Sequence, residues 1–159
     1  MLIDELKNIA RNNGIVGAGG AGFPAYAKMT EKADTVILNC VECEPLLKLH
    51  RQLLATHTEE IIQMLDEVRE SFGAKEAVIG IKSEYVTTIK AIEEVIGDFP
   101  NVRICALKAA YPMGDEVVLI YEATGRVIKP GGLPIDENVV VYNVETMYNL
   151  YRAVHLNIP

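Results

Sequence analysis

Four short apolar runs, "DTVILN" (34–39), "AVIGI" (77–81), "VRICAL" (102–107) and "VVVYN" (139–143), alternate with stretches whose apolar residues recur at helical spacing. Nothing else in the sequence constrains the fold as strongly. Compact β-branched runs of this length are what strands covered on both faces look like, and helices of ten to fifteen residues between them imply crossovers and a mainly parallel sheet. The helical stripes are Leu2, Ile3, Leu6 and Ile9, then Ile61, Ile62, Leu65, Val68 and Phe72, then Val86, Ile89, Ile92 and Ile96, and last Val144, Met147, Leu150, Tyr151 and Val154. Gly14, Gly73 and Gly125 stand where the helices before them should stop. A further short helix is expected near Ala25 to Lys32, and another over residues 114–124, with "VIKPGGLP" as a loop. The expectation is one α/β domain over residues 1–159, a Rossmann-like three-layer fold on a four-stranded, mainly parallel sheet.

A chain of 159 residues, half of them apolar, closes one hydrophobic core. The formal charge of −7 speaks against a general polyanion surface, so nucleic acid is a poor partner and any phosphate must be held locally. No apolar run approaches the roughly 20 residues of a spanning helix, and "MLIDELKNIARNN" lacks the order of a signal peptide. Three cysteines, an odd count, fit a reducing compartment. The expected location is the cytoplasm, with peripheral contact at the inner face of the cell membrane left open. The abrupt end "LYRAVHLNIP" reads as a segment of something longer.

Residues 14–24, "GIVGAGGAGFP", place Gly17, Gly19 and Gly22 in the pattern G-x-G-x-x-G. A dinucleotide fingerprint needs a strand directly before its first glycine, and here a helix precedes it. The physics of glycine survives that objection, because a chain without side chains lets backbone N–H groups approach an anion. Pro24 suits the first turn of a helix facing that anion, and Lys28 adds a full charge. A flexible linker or a tight packing turn is the competing reading. Three polar clusters, "NCVECEP" (39–45), "AYPMGDE" (110–116) and "NVET" (143–146), follow strands, at the edge where an open α/β sheet keeps its ligands. Helix caps and solvated charges explain Asn39, Asp115 or Thr146 singly, and the joint pattern less well.

"GAGGAGFPAYAK", "NCVECEP", "YPMGDE…YEATGR" and "NVETMYNLYRA", in this order, resemble the flavin-binding domain shared by the C subunit of the Rnf electron-transport complex and the NADH-oxidising 51-kDa-type subunit of respiratory complex I. "ECEP" and "GGLP" lie nearer the Rnf side and the related electron-transfer protein associated with proline reductase. The resemblance runs from about Gly14 to Ala153. It implies non-covalent FMN and electron flow from a nicotinamide cofactor towards iron–sulfur or other redox partners. It further implies that Gly17, Gly19, Gly20 and Gly22 with Lys28 hold the FMN phosphate, and that Asn39, Glu42 and Glu44 line the ribityl chain or ring. Tyr111, Gly114, Asp115 and Glu116 would flank the flavin, Asn143 and Thr146 would close the phosphate end, and Phe23 would stack the nicotinamide dinucleotide. No protein residue need be a catalytic acid or base, since hydride and electron transfer belong to the flavin.

Two departures limit the match. The complex I pattern continues with a tryptophan and a second phenylalanine, where this chain has "AKMTEK" and no tryptophan, which puts NADH as donor in question. A [4Fe–4S] cluster usually takes four thiolates and only three cysteines are present, so no iron–sulfur cluster is expected in this segment. Cys40 and Cys43 form C-x-x-C, readable as a thiol pair or as small apolar residues, and Cys105 reads as a buried apolar residue of the third strand. His50, His57 and His155 lack metal-ligand spacing. Two functions from different classes follow: an FMN-binding electron-transfer domain, or a docking module of the same fold that has lost its cofactor and joins redox partners.

Overall fold

The computed structural model describes residues 1–17, 23–41, 49–108 and 116–158. Four strands, β1 (Thr35–Cys40), β2 (Glu76–Lys82), β3 (Val102–Leu107) and β4 (Val139–Asn143), form one sheet in the order β3-β2-β1-β4. Every pairing is parallel, with Ile37 opposite Val78 on β2 and Val141 on β4. The helices are α1 (Ile3–Asn12), α2 (Leu49–Thr56), α3 (Thr58–Phe72), α4 (Val86–Ile96), α5 (Glu116–Thr124) and α6 (Val144–His155).

Alternation along the strands divides the core in two. Val36, Leu38, Cys40, Ile79, Ile81, Val140 and Tyr142 point to the larger side, where they meet Leu6, Leu54, Ile61, Leu65, Ile92 and Met147 from the helices. Ile37, Val78, Val139 and Val141 point to the other side, which is covered by Leu119, Ile120 and Ala123 of α5 and by Ile128. The fold is therefore the three-layer α/β arrangement read from the sequence, with one layer much thinner than the other. That thin layer depends on Gly80, since a Cβ there would stand 2.4 Å from Leu119 Cδ1.

Several helix limits follow the sequence reading closely. Gly14, Gly73 and Gly125 take φ of 62°, 70° and 75°, the left-handed conformation that ends a helix at little cost only when Cβ is absent. Other expectations need correction. Leu2 is 71% exposed because it lies before α1, whose buried face is Ile3, Leu6 and Ala10. Val86 points outward at the start of α4, and Tyr85, Thr88 and Ile92 face the core instead. The helix expected from Ala25 to Lys32 is a single 3-10 turn, Ala25–Lys28. Helix α2 was not anticipated at all. Cys105 is only partly covered, because β3 is the edge of the sheet. Burial pushes its thiol pKa up against the opposing charge of Arg103.

At the amino end of the sheet Arg126 grips Asp34 with two nitrogens, at 2.6 and 3.2 Å, and also donates to the Glu137 carbonyl at 2.9 Å. This fork ties the segment after α5 to the starts of β1 and β4. Among the described residues no helix is long and apolar enough to cross a membrane.

Candidate functional site

The strand order places β1 between β2, which follows it in sequence, and β4, which comes last. From β1 the strand order runs outward through β2 to β3, and the chain then returns past β1 to lay down β4 on its other side, so the carboxyl ends of β1 and β4 flank a reversal of strand order, where an open α/β sheet keeps a crevice. A cavity of about 340 Å³ lies there. Gly17, Phe23, Lys28, Asn39, Glu116, Val141, Tyr142, Asn143 and Thr146 line it. Every site residue chosen from the sequence that falls among the described residues is in this set. Gly19, Gly20, Gly22, Glu42, Glu44, Tyr111, Gly114 and Asp115 lie outside the described residues, as does Cys43.

Asn39 and Asn143 are register partners at the ends of β1 and β4. Asn39 Oδ1 accepts from the Val41 N–H at 2.9 Å, and Asn143 Oδ1 accepts from the Thr146 N–H at 2.7 Å, capping α6. Because both partners are N–H groups, the facing atom of each amide must be oxygen, and each Nδ2 keeps its two donors for other use. Thr146 is 1% exposed at the cavity wall.

The glycine segment enters the site differently from the sequence expectation. Its two ends are joined by a bridge between Val16 and Pro24, in which the Gly17 N–H donates to the Phe23 carbonyl at 2.7 Å and the Ala25 N–H to the Ile15 carbonyl at 3.0 Å. Pro24 has no N–H, so its neighbours supply the bonds. The Gly17 amide is thereby spent on the chain itself and is not free to hold a phosphate. Nor does a helix dipole help from Pro24, since a four-residue 3-10 turn builds no useful macrodipole.

Positive charge comes instead from Lys28. Its Nζ donates to the Val141 carbonyl at 3.1 Å and stands 5.8 Å above the Tyr142 ring. An ammonium has three donors, so two are left for an anion in the cavity. Tyr142 is 3% exposed, and its hydroxyl donates to the Ala25 carbonyl at 3.3 Å. Burial raises its pKa, which keeps the phenol protonated. Phe23 is 49% exposed at the rim. Glu116 brings a carboxylate from the first turn of α5.

Sequence reading missed Val141 and Tyr142. Val141 acts through its carbonyl, which no side-chain pattern reveals. Tyr142 had a signal, a lone phenol in a β-branched run next to Asn143. A second cavity of about 290 Å³ between α2 and α4 includes Arg51 and Tyr85 and gathers none of the chosen residues. Cys40 is wholly buried in the larger core. His57 pairs with Glu60 at 2.9 Å and stacks on Tyr148, while His155 pairs with Glu67 at 2.8 Å. Among the described residues no cluster of three or more metal-ligating side chains exists.

A cationic side chain and two strand-end amides thus line one crevice of an α/β domain, at the reversal of its strand order. Comparison with known proteins makes the class specific. Residues 10–152 match the family Complex1_51K, the Nuo51 FMN-binding domain, and the chain belongs to that family. It is 40% identical over 154 residues to the cobalamin reductase PduS of Citrobacter freundii, covering 97% of this chain and 34% of that protein. It is 34% identical over 160 residues to the C subunit of the Na⁺-translocating ferredoxin:NAD⁺ oxidoreductase complex of Acetobacterium woodii, covering 98% of this chain and 36% of the relative. The chain thus spans about a third of the length of these curated relatives. A chain of the NAD⁺-reducing [NiFe]-hydrogenase in its H₂-reduced state superposes with a TM-score of 0.78 at 24% identity, over 96% of this chain and 30% of that one, which shows a shared fold. Family membership agrees with FMN as the cofactor read from the sequence.

Proposed function

We propose that this chain is the FMN-binding electron-transfer domain of a larger redox protein or complex, passing electrons between a nicotinamide cofactor and iron–sulfur or other redox partners. The observation that supports it is convergence. Gly17, Phe23, Lys28, Asn39, Glu116, Asn143 and Thr146 come from separate segments of the chain, and one cavity of ligand-site size collects them.

In this reading Lys28 takes the phosphomonoester, joined by the backbone of Gly19, Gly20 and Gly22. Gly17 contributes only its lack of a side chain. Asn143 and Thr146 close the phosphate end. Asn39, Glu42 and Glu44 lie along the ribityl chain or ring, and Tyr111 and Gly114 to Glu116 flank the ring. The Glu116 carboxylate belongs at the ribityl or ring end, since it would repel a dianionic phosphate. Phe23 waits at the rim for a nicotinamide dinucleotide. When bound, the flavin supplies the hydride and one-electron chemistry, and the protein supplies placement and charge. The relatives include a cobalamin reductase and a component of a ferredoxin:NAD⁺ oxidoreductase, which supports a redox relay and leaves the acceptor to experiment.

Titration with FMN tests this. The protein should turn yellow and keep the flavin through gel filtration, and a ligand at 100 times its dissociation constant should add about 2.7 kcal/mol of stability. Lys28→Ala should weaken FMN binding by roughly tenfold or more, the worth of one charge-assisted hydrogen bond, while leaving riboflavin binding nearly unchanged. A colourless protein with no thermal shift under saturating FMN would sink the proposal in favour of the docking module.

A further inference from the structure

The geometry points to Tyr142 as a positioning residue for Lys28: its hydroxyl bonds the Ala25 carbonyl and its ring lies beneath the ammonium, so that this one side chain sets the cavity's selectivity for a phosphorylated over an unphosphorylated flavin. The inference rests on the proposed FMN site and goes beyond it in assigning a residue that contacts no phosphate.

A lysine has four rotatable side-chain bonds, and its charge recognises one ligand group only if those bonds and the backbone under them are held. The backbone under Lys28 is one 3-10 turn, Ala25–Lys28. At its front the turn is fixed by the Ala25 N–H to the Ile15 carbonyl. The Ala25 carbonyl is fixed by Tyr142, reaching across from β4 at 3.3 Å. Ala25 is itself 2% exposed, so that carbonyl has no ready access to water as a substitute partner.

The far end of the lysine is held by the same strand. Nζ donates to the Val141 carbonyl at 3.1 Å and lies 5.8 Å from the Tyr142 ring centroid, inside cation–π range. Tyr142 is thus linked to the start of the turn that carries Lys28 and to the end of its side chain. Leu38, its register partner on β1, and Asn143, its neighbour, anchor it to the two strands that form the crevice.

The test compares FMN with riboflavin, which differ by the phosphate. Dissociation constants are measured by flavin fluorescence for the wild-type chain, Tyr142→Phe, Lys28→Met and the double variant. Tyr142→Phe should lower FMN affinity by about fivefold, the scale of one lost hydrogen bond, and leave riboflavin affinity within about twofold. In the Lys28→Met background Tyr142→Phe should change FMN affinity no further. An unchanged FMN-to-riboflavin ratio in Tyr142→Phe, or an equal loss for both flavins, overturns the assignment and leaves Tyr142 a core residue. Should Tyr142→Phe fold poorly, the wild-type chain still decides by NMR: the Lys28 ε-methylene resonances should move with FMN and stay with riboflavin, and equal movement overturns the proposal. Wild-type protein that binds neither flavin overturns the FMN site and this inference together, whereas FMN preference kept in Tyr142→Phe removes only the second.

Discussion

Replacing Gly80 by alanine should loosen α5 and, through it, the cavity wall at Glu116. The added Cβ would stand 2.4 Å from Leu119 Cδ1 and 3.5 and 3.6 Å from Leu119 Cγ and Cδ2. Leu119 is fully buried, so its methyls have no solvent-side rotamer to escape into. Overpacking of this kind costs about 1–3 kcal/mol, and roughly 0.5–1 kcal/mol of it is returned because glycine in a strand is itself unfavourable. The net loss should be about 0.5–2 kcal/mol, or roughly 1–8 °C in melting temperature for a domain of this size. Leu119→Ala alone should lose about 2–5 kcal/mol. In the double variant the alanine methyl occupies part of the space the leucine vacates, so the loss should fall short of the sum by about 1 kcal/mol. Urea denaturation of the four proteins, with unchanged m-values, measures this coupling directly. FMN affinity of Gly80→Ala should fall as well, because Glu116 rides on the displaced helix. Strict additivity, or a Gly80→Ala protein as stable as the parent, would refute the claim that close approach of α5 depends on this glycine.

Two further substitutions probe the frame of the site. Asn143→Ala should cost about 1 kcal/mol through the lost cap on Thr146 N–H, whereas Asn143→Asp keeps the cap and should leave stability near wild type while weakening FMN binding, read by thermal melts with and without flavin. The Asp34 carboxyl is pulled upward by burial, but hydrogen bonds from Arg126 and Thr35 and the charges of Arg126 and Lys75 outweigh this and hold it below its ordinary range. A lowered folded-state pKa gives stability that is present above the unfolded value and lost as pH falls through the folded one. Asp34→Asn should therefore cost about 1 kcal/mol at pH 7, the pair being partly exposed, and the difference from wild type should shrink in acid titrations of stability as pH falls from the ordinary carboxylate range through the lowered folded-state pKa.

The sheet was legible because its strands are covered on both faces and so read as unbroken apolar runs, most clearly Val36 to Leu38 and Val139 to Val141. Helix ends at Gly73 and Gly125 were legible for a local reason, the left-handed dihedral. Less legible was whatever depended on partners distant in the chain. α2 buries Leu54 alone in full, too thin a stripe to stand out. Val86 has the right period for α4 but falls on the first turn, where the chain has not yet turned its face to the sheet. Cys105 sits in an apolar strand, and only the sheet order reveals that this strand is an edge.

For the cavity, the lining residues among those described, Val141 and Tyr142 apart, were readable in the sequence, and the contacts they make were not. A glycine pattern suggested main-chain amides and a helix end as the anion holders, yet one amide, that of Gly17, closes the segment by pairing with Phe23, and the helix is a single 3-10 turn. Closure between Val16 and Pro24 is a non-local pairing that no periodicity encodes. Once it forms, however, it fixes where Ala25 begins its turn, and three residues later Lys28 is delivered to the end of β4, where Val141 and Tyr142 receive it. On the proposed FMN site, the work expected of the Gly17 amide and the helix end falls to this side chain and the strand beside it. Tyr142 fits a position otherwise suited to valine because its hydroxyl finds the Ala25 carbonyl, so the buried phenol leaves no unsatisfied donor. Aromatic and lysine are thus one unit, and a sequence with this glycine pattern but leucine at position 142 should fold alike and discriminate less between FMN and riboflavin.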